Sequence, residues 1–382
     1  MRILVTGGAG FIGSHTVDAL LRRGYQARIL DNLEKPVHLR GKPTYLPDDC
    51  EVVEGDVRNK ADWERALDGI DVVYHFAAYQ DYLPDFGKFF HVNSVGTALL
   101  YEVAVERNIP LEKVIVASSQ AVYGEGKYRC LNIACQASKN GGFYYPDIRS
   151  SEALGRADWD HRCPSCGQTL QPQPTDDGKV NPQNQYAVSK YTQELIAFSL
   201  GKRYGIPTVA LRYSIVQGPR QSFYNLYSGA CRIFCLSYLH GKQPVIYEDG
   251  RQMRDFVNID DVVDANLIVL DKKEANYQVF NVGGGKGYTI LEFAEIVRNV
   301  FGKKVRPRIP GEYRFGDTRH IISDITRLRR LGWKPKHSPA KSVKDYIGWL
   351  TEQEGIEDML QSAEIKMKQM HVVRTSNGFK GA

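Results

Sequence analysis

The 382-residue sequence contains no internal repeat, no low-complexity tract and no apolar run approaching the ~18 residues of a membrane-spanning helix. These absences argue against fibrous and membrane-embedded classes. After Met1, one charge is followed by too short an apolar run for a secretory leader, so a cytoplasmic location is expected. Charge of one sign is also scarce. The formal net charge is +6, and Lys and Arg are interspersed with Asp and Glu, which argues against a nucleic-acid partner. Cysteines number only seven, and in a large cytosolic chain they point to thiols or metal ligands in preference to disulfides. An apolar fraction of 42% and a charged fraction of 25% suit an ordinary globular protein of one large or two medium domains.

At the N-terminus the apolar run of residues 2–6 leads into Thr6-Gly-Gly-Ala-Gly-Phe-Ile-Gly13 and an amphipathic stretch from Ser14 to Arg23. The pattern reads as strand, glycine-rich turn and helix. Gly7, Gly10 and Gly13 have the G-x-x-G-x-x-G spacing of a dinucleotide site, where side chains would keep a pyrophosphate from the backbone amides. A second run, Ala27 to Leu30, ends in Asp31, eighteen residues beyond Gly13. An acid there suits the adenosine ribose hydroxyls and repels the extra phosphate of NADP, so the expected cofactor is NAD.

Strands and helices then alternate up to Lys113–Ala117, which predicts an α/β fold with a parallel, doubly wound sheet. Gly55-Asp56 and His75-Phe-Ala-Ala78 close two strands at the carboxyl edge, where such sheets bind ligands. Asp56 is placed at the adenine amino group. Ala77 and Ala78 leave room for a cofactor across the strand ends, and His75 reads as a packed strand residue. Farther on, Tyr186 and Lys190 are four apart and share a helix face. A lysine ammonium beside a phenol favours the phenolate and suits acid/base chemistry. Thr208–Arg212 reads as a sixth strand. The mixed pattern beyond it, up to Pro335, predicts a second, smaller lobe. Arg220, Arg254, Arg314 and Arg319 are the cations suited to a diphosphate, because guanidinium matches phosphate in two-pronged contacts.

With these pieces placed, the chain resembles the extended short-chain dehydrogenase/reductase family, and within it the NAD-dependent nucleotide-sugar epimerases and dehydratases. The motifs that carry the resemblance run in order: Thr6–Gly13, Asp31, Gly55-Asp56, His75–Ala78, Asn93, Ser118-Ser119, Val122-Tyr123-Gly124, Tyr186–Lys190, Leu211-Arg-Tyr213, Gly218-Pro-Arg220, Arg254-Asp-Phe256 and Leu331-Gly-Trp333. The resemblance implies that Tyr186 is the acid/base, that Lys190 holds the nicotinamide ribose, and that Ser119 hydrogen-bonds the hydroxyl being oxidised. It extends the cofactor set to Phe11, Ile12, Asn32, Val57, Phe76, Asn93, Ala117 and Tyr213. The substrate set becomes Tyr79, Gln120, Arg220, Asn225, Arg254, Arg314 and Arg319. It also implies a homodimer through the helices near 89–107 and 186–204.

Two departures narrow the reaction. The similar 4,6-dehydratases carry Asp-Glu after the Ser/Thr, and here Gln120-Ala121 stands in that place, so elimination lacks its acid and base. Ile215 and Gln217 stand where many relatives carry Asn and Tyr, which leaves the usual phosphate contact and the substrate identity open. The expected reaction is epimerisation of a nucleoside-diphosphate sugar at C4 through a 4-keto sugar. A decarboxylase and a keto-sugar reductase are alternatives on the same scaffold. A non-catalytic NAD-sensing protein would be expected to lose Tyr186 or Lys190.

Ser119 and Tyr186 lie 67 residues apart, well beyond the spacing of simple members of the family, so residues 126–178 read as an insertion. Cys130-x4-Cys135 and Cys163-x2-Cys166 suit a structural tetrathiolate zinc site, with His161 as the alternate ligand to Cys135. Leaving the sheet at one catalytic residue and returning at another, the insertion is expected to be a lid or substrate wall. Among relatives, it and Gly218-Pro-Arg-Gln221 look most like dTDP-L-rhamnose 4-epimerases. The expected organisation is an NAD-binding domain over 1–213, rejoined by 251–270. A sugar-nucleotide lobe over 214–250 and 271–345 follows, then a helical tail over 346–382 whose end, from Thr375, is loosely held.

Overall fold

The computed structural model describes the chain except residues 82–83, 136–140, 225–228, 357–359 and 380–382. Its centre is a seven-stranded, wholly parallel sheet. From one edge, the strands are Glu51–Glu54, Gln26–Asp31, Arg2–Thr6, Val72–His75, Lys113–Ser119, Thr208–Tyr213 and Gln278–Val282. The central strands are buried on both faces, which explains continuous runs such as Val114-Ile115-Val116 in place of alternation. Strand order reverses between Arg2–Thr6 and Val72–His75. The crevice at their carboxyl ends is where this topology binds ligands.

Helix Phe11–Arg22 covers one face together with Ile259–Asp271, to which it is tied by Asn266 donating to Thr16 Oγ1 at 3.0 Å. Helices Gly96–Glu106 and Gln185–Tyr204 cover the other. The strand Gln278–Val282, grouped by sequence with the second lobe, is instead the seventh strand of the sheet. Its short, half-buried pattern carried no sign of its partner. The second lobe has the strands Ile215–Gln217, Met253–Asn258 and Gly287–Thr289, with Phe256 stacked on Phe293 at 4.2 Å in its core. Among the described residues no helix is long and apolar enough to cross a membrane.

The insertion forms a three-stranded antiparallel sheet of Phe143–Tyr144, Lys127–Arg129 and Gln171–Gln173, with the four cysteines at one end. The chain end departs from expectation. After helix Leu360–Gln369, strand Val373–Thr375 pairs with Glu312–Arg314. Ser376 N then donates to Gly311 O, and Asn377 N donates to Gly155 O. Phe379 packs near Trp159, a contact that holds the end and that a sequence of small polar residues concealed. Residues 380–382 of the expected loose end lie outside the described residues.

Candidate active site

The glycine-rich turn is built for close approach. Gly7 has φ +66°, and a Cβ there would lie 2.8 Å from Ala77 N. A Cβ on Gly13 would lie 2.2 Å from Gly7 O, so the first helix can start only where glycine stands. Gly10 caps that helix without a side-chain hydrogen bond, leaving its first amides for an anion. Asp31, at the end of its strand, accepts from Ala9 N and Leu33 N, both at 3.0 Å, one on each carboxylate oxygen. Each oxygen keeps a lone pair for a ribose hydroxyl. Burial pushes the Asp31 carboxyl upward, and His38, 3.9 Å away, opposes this.

The crevice is lined by Gly7, Gly10, Phe11, Ile12, Gly13, Asp31, Asn32, Asp56, Val57, Phe76, Ala77, Ala78 and Ala117 of the expected cofactor set. Burial works against ionisation of Asp56, yet hydrogen bonds from Arg58 and Asn32 hold it down to about 2. Two expected residues have other tasks. Asn93 is wholly buried in a π-helical turn, bonds both backbone groups of Tyr79, and donates to Ser189 Oγ at 2.9 Å. Tyr213 is buried and donates to Asn266 Oδ1 at 2.7 Å. His75 is packed, as expected, between Thr6 Oγ1 at 2.8 Å and Thr97 Oγ1 at 3.0 Å, and burial lowers it to about 3.

Helix Gln185–Tyr204 starts at Asn184, whose side chain accepts from Ala187 N at 2.8 Å, and this cap fixes where Tyr186 and Lys190 fall. Ser119 ends the central strand Lys113–Ser119, where its Oγ accepts from Ala121 N at 3.1 Å, and its hydroxyl lies close enough to the Tyr186 phenol to act on its ionisation. Tyr186 and Lys190 lie one turn apart on this helix, which packs on the strand that ends in Ser119. Burial pushes the Tyr186 phenol up to about 12, and the Ser119 hydroxyl pulls it down. Lys190 donates to Ala117 O at 2.5 Å and Gln193 Oε1 at 2.8 Å, and burial lowers its ammonium to about 7 against the attraction of Glu194. A cation held under strain of desolvation gains by approaching oxygen ligands, such as ribose hydroxyls and a phenolate.

Sequence reasoning missed the layer behind these groups. Glu194 accepts from Ser118 Oγ and pairs with Arg212 at 2.8 and 2.6 Å. Arg212 also donates to the Tyr123 hydroxyl, which donates to Asn281 Oδ1 at 2.5 Å. Two signals were available: Arg212 and Tyr123 both sit inside the motifs, and Glu194 lies one turn beyond Lys190 on its helix.

The expected substrate residues divide. Tyr79 lines the crevice and donates to Asp85 Oδ2 at 2.6 Å. Gln120 is buried beside Ser119, and its Oε1 has no hydrogen-bond partner among the described residues. Gln217, one of the two departures, has both amide atoms buried and without a partner among the described residues. Arg254 donates to the carbonyls of Met253, Arg319 and Thr318 and pairs with no carboxylate among the described residues. Arg314 meets Asp317 at 2.8 Å. Arg220 pairs with Asp18 at 2.8 Å and lies 4.6 Å from the Tyr45 ring centre. The expectation for Arg319 is corrected: only 1% exposed, its guanidinium is consumed by Asp160, Glu248 and Asp249. Asn225 lies outside the described residues.

The insertion brings Cys130, Cys135, Cys163 and Cys166 together, with all four Sγ atoms within 4.8 Å of one another. Cys130 and Cys166 sulfurs are 3.7 Å apart, and those of Cys135 and Cys163 are 3.8 Å apart. His161 turns away, its Nε2 3.1 Å from Glu125 Oε2. Among the described residues no crevice-lining side chain comes from 126–178; the insertion packs on the second lobe through Tyr128 and His320.

The chain is similar to known proteins over most of its length. The profile of the NAD dependent epimerase/dehydratase family matches residues 3–140 and 162–283. The dTDP-L-rhamnose 4-epimerase of Burkholderia thailandensis is 33% identical over 361 residues, covering 92% of this chain and 95% of that protein. The UDP-glucose 4-epimerase of Thermotoga maritima, solved with UDP-glucose, superposes with a TM-score of 0.74 at 28% identity, over 92% of this chain and 99% of that one. The UDP-glucuronic acid 4-epimerase of Bacillus cereus, solved with UDP-glucuronic acid and NAD, gives 0.72 at 26% identity over the same shares. The chain belongs to the NAD dependent epimerase/dehydratase family.

Proposed function

We propose that this protein epimerises a nucleoside-diphosphate sugar at C4, with NAD held in the crevice. The observation that carries the reading is Lys190 on the carbonyl of the crevice-lining Ala117, with Tyr186 one helical turn before it and Ser119 acting on that phenol, beside a crevice whose glycines and Asp31 fit a dinucleotide. Bound NAD supplies reversible hydride acceptance at the sugar carbon. Tyr186 takes the hydroxyl proton and later returns it. Ser119 aligns that hydroxyl, and the Lys190 charge favours the phenolate. Positioning the base on the same carbon that loses hydride can supply several kcal/mol of rate enhancement. Gln120-Ala121 offers no carboxyl pair for elimination, which favours return of the ketone over loss of water. Arg254, which meets no carboxylate among the described residues, and Arg314 supply the positive charge for a diphosphate. Incubation with UDP-, dTDP-, GDP- and CDP-sugars, followed by NMR of the ring protons, tests the proposal. Exchange at C4 is expected, with a dTDP-linked deoxyhexose first in the panel because of the Burkholderia thailandensis relative. No exchange with any of them would refute it.

The four thiols suit structural zinc. Zn–S bonds of about 2.3 Å in a tetrahedron require sulfurs about 3.8 Å apart, the spacing the two close pairs already have. With sulfur at all four positions such a site would leave nothing open for catalysis. Protein made in ample zinc should carry about one equivalent per chain; a content far below that by elemental analysis sinks the site. A cytoplasmic homodimer completes the reading. Val95, in the turn before helix Gly96–Glu106, and Val188 and Leu195 on helix Gln185–Tyr204 are exposed, and apolar side chains there suit a second copy. Light scattering at twice the chain mass is expected, and a monomer at micromolar concentration would contradict it.

A further inference from the structure

Both cations proposed above for the diphosphate lean on one short segment. Arg254 is aimed by the carbonyls of Thr318 at 2.6 Å and Arg319 at 3.2 Å, and Arg314 is held by the Asp317 carboxylate. Residues 317–319 belong to no helix or strand, so their geometry has to be imposed from outside. The grip comes from the insertion and the turn that leads into it. Arg149 donates to Asp317 O at 2.5 Å, Thr318 Oγ1 donates to Gly124 O at 3.1 Å, and Arg319 N donates to Glu125 Oε2 at 2.7 Å. One residue on, His320 N donates to the Tyr128 hydroxyl at 3.1 Å.

Arg149 is itself locked. It is buried and meets Glu248 of the second lobe with two hydrogen bonds of 2.9 and 2.8 Å, and Glu248 also accepts from Arg319 at 2.9 Å. Tyr128, two residues before Cys130, packs in the same cluster as the cysteines. Buried ion pairs of this kind contribute little net stability, while removing one partner is costly, so their geometry is the more informative property. We infer that Arg149, supported by Tyr128, is a positioning residue for the substrate diphosphate: the insertion fixes segment 317–319 and through it the aim of Arg254 and Arg314. This rests on the nucleotide-sugar reading. The insertion then acts on substrate affinity from behind the site, without touching substrate.

The test uses the full-length enzyme with UDP, dTDP, GDP and CDP as competitive inhibitors, and the matching nucleosides as probes that share the base and pentose but lack phosphate. In Arg149→Met, the inhibition constant of the best diphosphate and the substrate KM should both rise by about 10–100-fold, with kcat within about threefold and nucleoside affinity unchanged. Tyr128→Phe removes one hydroxyl, keeps the ring in the cysteine cluster, and should shift the same two constants by about 3–10-fold even if Arg149→Met fails to fold. An unchanged diphosphate constant in a folded variant, or a loss confined to kcat, overturns the inference. Wild-type protein that binds none of UDP, dTDP, GDP and CDP overturns the nucleotide-sugar reading and this inference with it.

Discussion

Tyr186→Phe is expected to lower kcat by about 10²–10⁴-fold, the usual worth of a positioned acid/base, while KM and cofactor content stay close to wild type. The hydroxyl removed lies close to Ser119, and the ring keeps its place on a helix fixed by the Asn184 cap. The fold is therefore expected to survive. In the structure burial sets the phenol at about 12, far too high for a base at neutral pH. A positive charge close to the hydroxyl must bring it down, and Lys190 is the side chain one turn away. The rate should consequently rise with pH as the phenol ionises and fall when the Lys190 charge is lost. Steady-state turnover of the variant followed by NMR is the measurement. A loss of less than threefold would remove Tyr186 from the chemistry.

Gly13→Ala should abolish cofactor binding. The added Cβ would meet Gly7 O at 2.2 Å and Gly8 Cα at 2.8 Å, both backbone atoms, so the turn itself has to move. Overpacking of this kind costs about 1–3 kcal/mol of stability, and the displaced amides no longer converge on a pyrophosphate. Gly10→Ala provides the contrast, since its Cβ would meet only Gly7 O at 3.2 Å. Nucleotide released by acid from the purified proteins should be absent for Gly13→Ala and largely retained for Gly10→Ala. Equal retention in both variants would show that the turn does not cradle the cofactor.

The parallel sheet was legible because its strands are short, apolar and separated by helices, and because the glycine turn and Asp31 fall where the switch point requires them. The Tyr186–Lys190 pair was legible from helical spacing, and its link to Ser119 came from the motif order. What sequence could not show were properties of partners. Asn281-Val-Gly-Gly-Gly285 reads as a strand and turn, but only the folded chain shows that this strand, Gln278–Val282, pairs with Thr208–Tyr213. Arg319 resembles any phosphate-seeking arginine until Asp160, Glu248 and Asp249, distant in sequence, close around it. Asn93 stands in a motif that suggests cofactor contact, yet its amide is spent on Tyr79 and Ser189. The cysteine spacing pointed to one cluster, and the structure brings in Cys135 and leaves His161 with Glu125. The docking of Phe379 beside Trp159 had no local signal at all.

The most direct measurement uses the nucleotide sugar that exchanges in the panel, deuterated at C4 and incubated with enzyme in ordinary water. The predicted result is inversion at C4 with the deuterium kept on that carbon, no carbon dioxide release and no net consumption of cofactor. Deuterium washed out to solvent during inversion, or product formation coupled to carbon dioxide release or stoichiometric cofactor oxidation, would contradict it.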